Sequence, residues 1–100
     1  MEDRPARIGD AWEVKKDFKI DGGRIPAGIC IIVDNMEVCR GTASAVLLAC
    51  SAYETDSGIR FRKCHNGDIQ LPYETLNHLI ESDILDLFGT NVPSDHIDMQ

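Results

Sequence analysis

The chain has 100 residues, with ten Lys and Arg against seventeen Asp and Glu and a formal charge of −7. That length holds one small core and no second. A hydrophobic content of 43% is ordinary for a folded domain, yet the runs Gly28–Val33 and Ala43–Ala52 fall short of the roughly 18 apolar residues a membrane span needs. The opening Met-Glu-Asp-Arg-Pro-Ala-Arg is charged and lacks the apolar stretch of a secretory signal, so a cytoplasmic location is expected.

Residues 1–9, with Pro5 and Gly9 among mixed charges, read as a loose arm before a single domain over 10–89. From Ala11 to Ile20, Trp12, Val14, Phe18 and Ile20 alternate with Glu13, Lys15, Asp17 and Lys19, the pattern of a strand with one buried face. Asp21-Gly22-Gly23 breaks it. The run Ile29–Val33 is too short for a helix and rich in β-branched residues, which predicts a central strand. Asp34-Asn35 is expected to turn the chain so that Met36–Cys39 pairs back. Thr42–Tyr53 is ambiguous: four alanines and two leucines favour helix, whereas Val46, Cys50, Tyr53 and a turn at Glu54–Gly58 favour strand. Strand is the better reading. Asn66-Gly67, between Phe61–His65 and Asp68–Leu71, predicts a hairpin with a type I′ turn.

Pro72 suits the first turn of a helix, and Leu76, Leu79, Ile80, Ile84, Leu87 and Phe88 follow at spacings of three and four. Gly89 is a natural stop, and Ser82-Asp83 is a point where this stretch divides into a helix and a further turn or strand. Residues 90–100 read as a polar, fraying tail. Together these elements predict a mainly β fold of about five antiparallel strands, a small barrel or curled sheet capped by one amphipathic helix. The element order over residues 10–72 resembles the SH3-like barrel class in outline.

All ten basic residues lie between Arg4 and Lys63, where ten carboxylates balance them. The excess therefore sits after residue 63, on Asp68, Glu74, Glu81, Asp83, Asp86, Asp95 and Asp98. Such a segment repels phosphate and anionic lipid, and favours a basic partner or simple solubility. Cys30, Cys39, Cys50 and Cys64 form no Cys-x-x-Cys pair and the three histidines no close pair, so neither structural zinc nor any other cofactor is expected. In a reducing compartment these cysteines act as small buried hydrophobes.

The chain has no phosphate-cradling glycine loop and no Gly-x-Ser-x-Gly elbow. Cys64 and His65 are adjacent, but neighbours on a strand point to opposite faces and form no thiol–imidazole dyad. No catalytic residue is assigned. Asp83 and Asp86 would share a face on a helix without any hard-cation loop around them. His78 falls on the exposed side of the helical pattern.

By elimination, the expected function is a non-enzymatic protein-interaction module. A sharper form is a small acidic inhibitor or regulator of a nucleic-acid-handling protein, such as mobile elements encode. Its contact residues would be Glu74, Glu81, Asp83 and Asp86, with Trp12 at a barrel mouth. A nucleic-acid-binding barrel is the first alternative, with Lys15, Lys19, Arg60 and Arg62 as its cations if their strands are adjacent, although interleaved acids and the overall charge oppose it. An accessory subunit of a larger assembly is the second, and self-association through Met36–Arg40 would make a homodimer.

Overall fold

The computed structural model describes residues 5–98, apart from the side chains of His65 and Asn66. Strands β1 (Ala11–Val14), β4 (Cys30–Cys39), β5 (Thr42–Thr55), β6 (Gly58–Pro72), β7 (Leu85–Gly89) and β8 (Ile97–Asp98) form one sheet in the order β7-β1-β4-β5-β6-β8. A ribbon of β2 (Phe18–Ile20) and β3 (Gly23–Ile25) stands apart, and the helix α1 (Tyr73–Glu81) follows β6. The fold is mainly β, with eight strands among the described residues where about five were expected. The sheet curls into a half-barrel whose order is open at β7 and β8.

Three local readings need correction. Ala11–Ile20 is two strands, because the chain leaves β1 after Val14 to enter the ribbon. Asp34 does not turn the chain; it is a bulge in a continuous β4, between Val33 and Asn35. Such an extra residue bends the strand without ending its pairing. The turn comes at Arg40-Gly41, both at positive φ (53° and 78°), which a two-residue type I′ hairpin requires.

Asn66-Gly67 likewise makes a bulge, not a hairpin. In β6, Lys63 pairs with Cys50 and Asp68 with Leu48, so residues 64–67 stand opposite Ala49 alone. Lys63 and Asp68 form an ion pair at 2.7 Å across the ends of this excursion. Gly67 is buried, and a Cβ there would lie 2.7 Å from the Ala49 carbonyl oxygen and 2.9 Å from that of Cys64. Only glycine permits that approach.

Alternation splits the core between the two faces of the sheet. Trp12, Val14, Ile31, Val33, Leu47, Ile69 and Leu71 face α1, whose Leu76 and Ile80 are buried against them. Ala11, Cys30, Ile32, Leu48, Cys50 and Phe61 form a second cluster on the other face, covered in part by Val92 and Ile97. Thr42–Thr55 is strand because it serves both faces: Ala45 and Ala49 lie on the helix side, Leu48 and Cys50 on the other. Helix propensity lost to that two-sided burial.

Both expected loose ends are held over their described parts. Residues 1–4 and 99–100 lie outside them. Ala6 is 2% exposed; its N–H donates to Asn77 Oδ1 (3.0 Å), and its carbonyl accepts from the Tyr73 hydroxyl (2.8 Å). At the other end, a 3₁₀ turn at Ser94–His96 leads into β8, which pairs parallel to β6 at Phe61 and Arg62. Val92 and Ile97 of this segment pack against the second core cluster.

Candidate functional site: an acidic strip from helix α1 to strand β7

Helix α1 stops at Glu81 through backbone bonds. The Ile84 N–H reaches the Leu79 carbonyl (3.0 Å) and the Asp83 N–H that of Ile80 (3.2 Å), with Asp83 in the left-handed region at φ 60°. This is the Schellman arrangement, with aspartate in the place glycine usually takes. Asp83 and Asp86 are therefore not on one helical face as their spacing implied. Asp83 sits in the turn and Asp86 on β7, opposite Glu13 of β1.

Glu74, His78 and Glu81 follow at helical spacing and share the exposed face of α1. His78 lies between the two carboxylates, at 3.8 Å from Glu74 and 3.7 Å from Glu81. Asp83 lies exposed in the turn beyond them; half-buried Asp86 follows buried Leu85 on β7, so alternation turns it to the sheet face away from α1. Beside α1, Gly41, Thr42 and Ala43 of the β4–β5 hairpin and Pro72 and Tyr73 bound a groove of about 510 Å³. Lys15 borders the strip: its main-chain N–H donates to the Ile84 carbonyl and its ammonium lies 3.7 Å from Glu13.

Trp12 is not part of this surface. It is 3% exposed in the helix-side core, and its indole N–H is buried without a hydrogen-bond partner. The alternation that placed it inward was the informative signal; a barrel mouth was not.

The four cations of the nucleic-acid reading are not brought onto adjacent strands. β4 and β5 lie between β1 and β6, which separates Lys15 from Arg60 and Arg62. Lys19 sits on the separate ribbon. Arg60 is bound to Asp98 at 3.0 Å and to the Asp95 carbonyl at 2.7 Å, while the Arg62 guanidinium lies over the Tyr53 ring at 5.2 Å.

Sequence reasoning missed this Tyr53–Arg60–Asp98 cluster: Tyr53 and Arg60 are direct partners on β5 and β6, and Asp98 joins them only when β8 docks. The Tyr53 hydroxyl donates to Asp98 and Arg60 pairs with it, and these two bonds hold the carboxyl below the usual carboxylate range. A depressed folded-state pKa contributes stability above the ordinary value that is lost as pH falls through the depressed one. Acidification below roughly pH 4 should therefore loosen β8 before the rest of the sheet. Faster amide exchange at Ile97 than at Ile31 as pH falls, and the same loosening in Asp98→Asn at neutral pH, would check this; an Asp98→Asn chain with an unchanged Ile97 exchange rate would refute it.

The cysteines carry no comparable chemistry. Burial pushes the Cys30 thiol up to about 11 and the Cys50 thiol to about 12, so both are protonated at neutral pH and poor nucleophiles. Cys64, half-buried, has Ser51 Oγ 4.0 Å from its sulfur, and the His65 side chain lies outside the described residues. Among the described residues no three His, Cys, Asp or Glu side chains are grouped to hold a metal ion, and no helix is long and apolar enough to cross a membrane. No family model, no curated protein and no solved structure matches the chain.

Proposed function

We propose that the chain is a non-enzymatic interaction module of the cytoplasm that docks a basic partner protein along the strip from Glu74 to Asp86. The observation that carries this reading is the collection of Glu74, Glu81, Asp83 and Asp86 on one continuous stretch of helix, turn and edge strand, with no Lys or Arg after residue 63 to neutralise them. Exposed carboxylates of one sign steer a cationic surface into encounter and repel nucleic acid. A regulator working this way would lay its carboxylates in a groove that its target uses for phosphates. A small curled sheet with an SH3-like outline suits such a role, since its faces and edges are free to carry contacts.

The test is a pull-down on the tagged chain from lysate with and without nuclease treatment, at low and moderate salt. A basic protein retained at low salt and released as salt rises is the expected result. Retention of nucleic acid by the untreated lysate arm, with nothing left after nuclease, would transfer the function to the Arg62 side of the sheet. Binding that ignores salt would overturn the electrostatic reading and favour an accessory subunit held by apolar contacts.

A further inference from the structure

The tip of the β4–β5 hairpin runs past the last β5–β6 pair, Ser44 with Pro72, and its residues Gly41–Ala43 border the groove beside α1. The main chain next to β4 ends at Val33, whose N–H donates to the Asp10 carbonyl (2.9 Å) and whose carbonyl accepts from Gly9 (2.8 Å). From Asn35 to Cys39, β4 pairs with β5, and no described strand lies on its other side. Every residue from Val38 to Ala43 is exposed, and Val38, at 77%, is the most exposed large hydrophobic side chain of the described residues.

The direction of the unpaired groups follows from the turn. In a two-residue hairpin the flanking pair, here Cys39 and Thr42, is hydrogen-bonded, so alternation turns the main chain of Val38 and Met36 outward. The Met36 N–H is already taken by its neighbour's Asn35 Oδ1 at 2.9 Å. Val38 keeps both its N–H and its carbonyl facing outward. Natural edges are usually blunted by lysine, proline or a covering element, and residues 35–39 contain neither residue.

We propose that this edge pairs antiparallel with the same edge of a second copy, about a two-fold axis at Val38, joining two half-barrels into one continuous sheet. Charge favours a second copy here above elsewhere. Residues 35–43 carry one acid and one base, Glu37 and Arg40, so the arm is neutral while the rest of the chain holds the whole −7. Two copies meeting at any part of the acidic strip would repel each other. The pairing is isologous and closes at two, without propagating into a fibre.

The outward groups also fix the register. Val38 exchanges both hydrogen bonds with Val38 of the second copy. Glu37 then stands opposite Cys39 of the second copy in a non-hydrogen-bonded pair, with Cα atoms roughly 4.5 Å apart. The two Cys39 residues are offset by two positions and lie roughly 8 Å apart, too far for a disulfide. One strand pair buries less than the roughly 1,200 Å² of a standard interface, so the dimer is weak and its population rises with concentration.

This inference goes beyond the partner reading, and its test leaves the acidic strip untouched. Sedimentation of the full chain from roughly 10 μM to 1 mM should show a shift from monomer to dimer. Val38→Lys should weaken that dimer at least roughly tenfold with an unchanged circular dichroism spectrum, since it places like charges on the axis. Under oxidised glutathione, Glu37→Cys should yield a covalent dimer through Cys39 far faster than the wild-type chain does. A chain that stays monomeric throughout, a dimer indifferent to Val38→Lys, or wild-type cross-linking through Cys39 as fast as in Glu37→Cys would each overturn the proposal.

Discussion

Gly67→Ala should destabilise the protein by roughly 3 kcal/mol, the cost of forcing a methyl group into a site with no room for it. The added carbon would meet two backbone oxygens, at 2.7 Å from Ala49 and 2.9 Å from Cys64. A flexible side chain could yield; main chain in the middle of a six-stranded sheet cannot without breaking pairs on β5 or β6. Gly22, Gly28 and Gly41 offer a contrast. Each has open space where a Cβ would go but a positive φ, so alanine there costs only the conformational strain, roughly 1 kcal/mol. Urea unfolding followed by circular dichroism would rank the four variants. A Gly67→Ala loss no larger than that of Gly28→Ala would mean that the excursion at residues 64–67 relaxes freely.

The second large effect concerns association. Combining Glu74→Gln, Glu81→Gln, Asp83→Asn and Asp86→Asn should slow capture of the basic partner by roughly 10- to 100-fold at low salt. These groups are exposed or half-exposed and attract a cationic surface at long range, so the larger share of the change belongs in the association rate. Asparagine at position 83 keeps the left-handed conformation that ends α1, so the helix terminus survives the substitution. Stopped-flow association at two salt concentrations would measure it. A variant whose dissociation accelerates while association holds would place the carboxylates inside the interface, paired with desolvated cations.

Much of the architecture was readable because the period-two and helical signals are local. Trp12 and Val14, the Ile31–Val33 run, and the Leu76–Ile80 stripe announced their environments directly. The failures share a cause. Asn66-Gly67 has the composition of a type I′ turn, and nothing within ten residues says that β5 continues past it, so that the glycine is needed for close approach and not for positive φ. Asp34-Asn35 was misread in the same way. The acidic strip was legible as a list of residues, but its path was not, since Asp83 and Asp86 leave the helix through backbone bonds that no spacing encodes. The separation of Lys15 from Arg60 and Arg62 is topology, set by which strands lie between.

The chain's only tryptophan sits between β7 and β4 on the helix side of the sheet, dry and with an unpaired indole N–H. Its emission should be blue in the native state and should redden only when the Leu76–Ile80 side of the core admits water. The C-terminal segment guards the opposite cluster, around Phe61 and Cys50. Detachment of that segment is thus optically silent at Trp12, while loss of the helix is not. A fluorescence melt and a cysteine-accessibility melt on one sample would then report on different halves of the molecule, and any gap between their midpoints would measure how independently the two faces let go.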